Sequence, residues 1–137
     1  MAAGIMRAIY EERGIAGVIE SAGTADWNGG SPADYRAIKV ALESGIDIRA
    51  HRARQVRRDD FERFDLVVAM DQHNHKVLRA IVPVKLEGKL RHLLVDTDMH
   101  GRDVPDPYHG SEATFRETFV IIQEGCTLLA DSLHIVS

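Results

Sequence analysis

An aspartate held between two prolines, Pro105-Asp106-Pro107, is the strongest chemical signal in this chain. Each proline fixes its own φ and restricts the residue before it to extended backbone. A carboxylic acid on so stiff a loop can be aimed at a leaving-group oxygen, which is what general acid catalysis requires. Asp and Pro are equally common in surface turns, and the run taken alone fits that too. Tyr108 lies two residues on and Trp27 sits in another loop. These rings could stack on an aromatic ligand or simply pack their loops. His109, next to Tyr108, could make a cleft's affinity pH-dependent, but a solvated loop histidine is the readier reading. Asp71, three residues before Asn74, can cap a helix that starts at Gln72.

Other reactive side chains point to less. The single cysteine, Cys126, lies in the apolar helical run Phe119–Leu129. It reads as a small core residue, since nothing around it would lower its pKa as a nucleophile requires. Arg52, Arg54, Arg57 and Arg58 form a basic run offset by Asp59, Asp60 and Glu62, and read as a solvated face. His73 and His75 are two residues apart and cannot share a helix face. Asp96, Asp98, His100 and Asp103 lie within one loop, and no specific metal site is expected from them.

The elements that must position these residues alternate between helix and strand, the pattern of an α/β domain with a parallel sheet. Helices are expected at residues 2–12, 35–44, 58–64, 72–82 and 111–133, with Asp34 and Ser111 as N-caps and Gly45 as a stop signal. Val18–Ser21, Leu66–Ala69 and His92–Val95 are the expected strands, the second of the fully buried type. Ala22–Ala33 and Asp98–Gly110 are loops.

A chain of 137 residues, 45% apolar, fits one domain spanning 1–137 with a real core. The formal charge of −4 argues against a generic nucleic-acid binder. No apolar run is long enough to span a bilayer, and no signal pattern opens the chain, so a cytoplasmic protein is expected.

Four motifs together resemble the low molecular weight protein tyrosine phosphatases: Ser21-Ala22-Gly23-Thr24, His51-Arg52-Ala53-Arg54-Gln55, Met70-Asp71-x-x-Asn74 and Asp106-Pro107-Tyr108. The resemblance implies a three-layer α/β/α fold with a four-stranded parallel sheet in the order 2-1-3-4. It implies Asp106 as general acid, and Trp27 and Tyr108 as the rings that line the substrate cleft. A bound phosphate dianion would keep Asp106 protonated by like-charge repulsion. Ser21 and His51 correspond to residues that brace the phosphate loop, and Asp71 to one that supports the pocket. The family often has a second tyrosine where this chain has His109. The implied substrate is a phosphotyrosine protein or a small aryl phosphate, with no metal or other cofactor.

The family opens with a strand and a Cys-x5-Arg phosphate loop, and no Cys-x5-Arg occurs in this chain. Met1–Arg7 looks like the helix that follows that loop. The first, central strand of the implied sheet is therefore expected to be missing, which leaves strand edges open to pairing with another chain. Three readings follow. One is a shortened form of an ordinary tyrosine phosphatase, with Met1 an internal methionine of a longer protein. The second is a loopless relative that acts as a binding or self-assembly module. The third is a relative of the arsenate reductases, which share the fold but need redox cysteines that this chain lacks. The 137-residue chain is expected not to hydrolyse aryl phosphates and to self-associate through its open edges.

Overall fold

The computed structural model describes residues 1–24, 30–96, 104 and 110–133. The first helix, α1 (Ala2–Arg13), buries Ile5 and Met6 and packs Ile9 against the same cluster. The second, α2 (Tyr35–Glu43), starts where Asp34 accepts the Arg36 backbone N–H at 2.8 Å. It stops at Gly45, whose φ of 76° is left-handed and suits glycine. A short helix, α3 (Asp60–Arg63), leads into strand β1 (Val67–Ala69). Then come α4 (Gln72–Ile81), a 3₁₀ turn at Val84–Lys89, strand β2 (Leu90–His92), a 3₁₀ turn at Leu93–Asp96, and α5 (Glu112–Leu133).

Strands β1 and β2 pair in parallel, with Val67 opposite Leu90 and Ala69 opposite His92. Alternation along β1 makes the layers. Leu66, Val68 and Met70 pack on the main core, which α1, α2 and α5 build; Val67 and Ala69 join a second core around Phe61, Leu78 and Val82. Helices thus cover both faces, as a parallel sheet requires. The longest helix, α5, presents Phe115, Phe119, Ile122, Cys126 and Leu129 to the main core, a run of helical period. Its Gly125 lets it close on β2's exit: a Cβ there would stand 2.9 Å from Leu93 Cγ.

Three sequence expectations need correction. Val18–Ser21 is not a strand; Ile19 packs on the main core, but the segment has no ladder partner among the described residues. Strand β2 spans Leu90–His92 rather than His92–Val95. The cause is local: the Leu94 N–H donates to His92 Nδ1 at 3.2 Å, turning the chain into the 3₁₀ helix. Helix α3 is shorter than 58–64 because the Asp60 carboxylate takes the Arg57 N–H into a turn that precedes it. The sheet has two strands among the described residues, where the resemblance implies four.

Candidate functional site

Among the predicted site residues, Asp71 stands just beyond the C-terminal end of β1. That is where open α/β sheets hold ligands. Asp71 opens α4, its Oδ1 accepting the Asn74 backbone N–H at 2.6 Å. The Asn74 side chain reaches the other way and donates to Thr24 Oγ1 at 3.4 Å. One helix start therefore ties the β1–α4 turn to the Gly23-Thr24 loop. The cap reading of Asp71 is what this geometry shows.

Ser21 and His51, which the resemblance names as braces of the phosphate loop, bond to each other here, with Ser21 Oγ 3.2 Å from His51 Nδ1. Burial holds the His51 pKa below its ordinary value, and the Met1 α-amino group, Arg7 and Arg52 lower it further. The ring is thus neutral near pH 7 and sits in a positive local field, the field an anionic ligand would favour. Arg7 reaches from α1 to donate through both Nε and Nη2 to the Ile19 carbonyl, which fixes the chain just before Ser21.

Trp27, Asp106 and Tyr108 lie outside the described residues, as does His109. The residues that flank them are described, and they are tied down. On the Trp27 side, Gly23 N–H donates to the Arg54 carbonyl and Val56 N–H to the Gly23 carbonyl, each at 2.8 Å. The Gly30 N–H donates to the Ala53 carbonyl at 2.7 Å. Both ends of that loop therefore rest on the 53–56 segment. On the Asp106 side, Val104 is buried in the main core and its N–H donates to the Met70 carbonyl at 2.9 Å. Six residues on, the Gly110 carbonyl accepts from Arg36 Nη1 at 2.7 Å. Arg36 is itself held by both carboxylate oxygens of Asp34 and lies 4.6 Å above the Phe115 ring. The segment that carries Asp106 thus starts beside Asp71 and ends on α2.

Cys126 lies far from this chemistry in character. It is buried on α5, donates weakly to the Ala2 carbonyl at 3.8 Å, and burial pushes its thiol up to about 12. The residue six positions on is Ser132, which bonds back to the Leu129 carbonyl. Among the described residues no three His, Cys, Asp or Glu side chains converge as metal ligands, and the Asp98–Asp103 loop falls outside them. No described helix is long and apolar enough to cross a membrane.

Sequence reasoning missed two anchors. Arg36 could have been suspected from the Asp34-x-Arg36 spacing at a helix start, but its partner is 74 residues away. The basic run is also not uniformly solvated: Arg54 is bound by Asp60, which is only 4% exposed.

A family model described as low molecular weight phosphotyrosine protein phosphatase matches residues 1–135. The low molecular weight protein-tyrosine-phosphatase of Streptomyces coelicolor is 35% identical over 133 residues, covering 93% of this chain and 80% of its own. YfkJ of Bacillus subtilis, of the same description, is 33% identical over 98% of this chain and 86% of its own. Among solved structures, a protein tyrosine phosphatase from Entamoeba histolytica with Hepes in its active site superposes with a TM-score of 0.91 at 29% identity, covering 96% of this chain and 86% of that one. A low molecular weight phosphotyrosine phosphatase from Vibrio cholerae gives 0.88 at 30% identity over the same shares, 96% and 86%.

Proposed function

The chain belongs to the low molecular weight phosphotyrosine protein phosphatase family, and on that premise we propose that it carries the leaving-group half of a phosphotyrosine phosphatase site. In the reaction this reading assigns, a cysteine thiolate takes the phosphoryl group from a phosphotyrosine or aryl phosphate, and water then hydrolyses the cysteinyl phosphate. Asp106 protonates the departing phenolate oxygen, a poor leaving group at neutral pH. Trp27 and Tyr108 flank the aryl ring. Ser21, His51 and Asp71 support the pocket. The observation that carries the reading is the Val104–Met70 hydrogen bond, which starts the Asp106 segment beside Asp71 and the Asn74–Thr24 link.

These 137 residues do not supply the other half. Their only cysteine has a thiol pKa near 12 and no arginine six positions on. A general acid contributes about 10²–10⁴-fold only when a nucleophile is already placed. This chain assayed with 4-nitrophenyl phosphate is therefore expected to show no turnover. Turnover that disappears in Asp106→Asn or Cys126→Ser would overturn this reading.

A second reading, a binding or self-assembly module, is favoured by one observation. Among the described residues β2 is the only ladder neighbour of β1, so one edge of β1 lacks a strand. A cytoplasmic location belongs to both readings, supported by a single cysteine kept as a buried thiol.

A further inference from the structure

A buried carboxylate is retained only where donors satisfy it, and a close-packed apolar residue often serves stability as well. Asp60 is such a carboxylate, with its side chain 6% exposed. It accepts from Arg54 through both oxygens, at 3.0 and 3.1 Å, and from the Arg57 backbone N–H at 2.8 Å. The paired geometry fixes the guanidinium in plane as well as in place. The base of the arrangement is firm, because the next residue, Phe61, is fully buried in the second core. Lys89 Nζ braces the same turn by donating to the Phe61 and Phe64 carbonyls at 2.8 and 3.1 Å.

Arg54, once fixed, holds the neighbouring chain at two points. Its Nη2 also donates to Glu20 Oε2 at 3.2 Å, and its carbonyl accepts the Gly23 N–H at 2.8 Å. Ser21 lies between those two points and Thr24 directly after them. The next carbonyl upstream, Ala53, holds Gly30 at the far end of the Trp27 loop. Arg63 stands 3.7 Å from both Glu20 and Asp60, but it is exposed and peripheral.

We infer that Asp60 is a positioning residue for the site: acting through Arg54, it sets the path of residues 20–24 and so the Ser21–His51 pair and the base of the Trp27 loop. Asp60 touches neither member of that pair. Its effect runs through one side chain and one backbone bridge.

The inference rests on reading Ser21 and His51 as supporting residues of a phosphatase site. Its test is the His51 ring titration, followed by NMR in this chain without any turnover. In the parent chain the midpoint lies below the ordinary histidine value, because the ring is half-buried beside Ser21 and faces the Met1 amine, Arg7 and Arg52. In Asp60→Asn, Arg54 loses its buried, two-pronged ionic partner and keeps only the exposed Glu20, residues 20–24 come loose, and the midpoint rises toward about 6.5. Arg54→Lys keeps the charge but loses the fork, and is expected to move His51 the same way. Arg63→Ala is expected to leave it in place. Should Asp60→Asn fail to fold, Arg54→Lys decides. A folded Asp60→Asn or Arg54→Lys chain with an unmoved His51 overturns the inference, whatever Asp106 does. A phosphatase reading that fails by turnover leaves the His51 result untouched.

Discussion

Cys126 is the one thiol of this chain, and its reactivity can be tested alone. With a thiol pKa near 12, the thiolate fraction of Cys126 at pH 8 is about one part in ten thousand. The native chain is expected to resist iodoacetamide at that pH, whereas the urea-unfolded chain is alkylated. Rapid labelling of the native chain would contradict the buried, unreactive thiol. The carboxylates behave in the opposite sense. Hydrogen bonds from Arg36 hold Asp34 below its ordinary pKa. Burial alone would raise Asp60, but the hydrogen bonds and charges of Arg54, with the Arg57 N–H, bring it below the ordinary value too. A depressed carboxylate contributes stability that is fully present above its unfolded pKa and lost as pH falls through the folded one. Stability is therefore expected to hold down to about pH 4 and to drop below it, where both groups take up protons. A urea midpoint that shifts less with pH below 4 in Asp60→Asn than in the parent would support this; an identical slope would contradict it.

At the scale of elements, the helices and strand β1 were legible and the other two expected strands were not. Asp34, Asp71 and Gly45 mark helix ends by chemistry confined to a few residues, and the apolar period of α5 is visible along its length. A strand depends on a neighbour. Val18–Ser21 has strand-forming residues but no ladder partner among the described residues, and β2 gives way at His92 to a turn stabilised by that residue's own ring. Two predictions belong at this scale. Asp71→Ala removes the α4 cap and is expected to cost about 1 kcal/mol of stability by urea unfolding. A change below a few tenths would mean that the cap contributes little. Arg36→Ala removes the bond to the Gly110 carbonyl and the contact with Phe115. A loss of roughly 1–2 kcal/mol is expected from those two interactions. Amide exchange should rise at Val104, whose N–H bonds the Met70 carbonyl, while the middle of α5 keeps its protection. Exchange that rises equally everywhere would show that Arg36 holds the fold at large and not that bond in particular.

The whole molecule is a three-layer domain whose class was legible from βα alternation. The family was legible from four short motifs spread along the chain, three of which, at residues 21–24, 51–55 and 70–74, touch one another in the described structure. Ser21 and His51 were singled out by the resemblance, but that they bond to each other across 30 residues is seen only in the structure. The anchors Arg36 and Asp60 were not legible. Their roles depend on distant partners and on burial, and a run of charges carries no local mark of which member will be enclosed. The β1 edge that has no strand among the described residues leads to a molecular expectation: mass by light scattering should rise with concentration as edges pair between copies. A constant monomer mass at high concentration would count against it.

The account turns on Asp106 being an acid that waits for a nucleophile. The most direct measurement is turnover of 4-nitrophenyl phosphate and phenyl phosphate by this chain fused at Met1 to a strand and Cys-x5-Arg loop of the family's kind. With Asp106 intact the fusion is expected to turn over both substrates. Asp106→Asn should lower kcat by about 10²–10⁴-fold, more for phenyl phosphate, whose leaving group needs the proton more. Equal turnover with and without the Asp106 carboxyl would contradict the account.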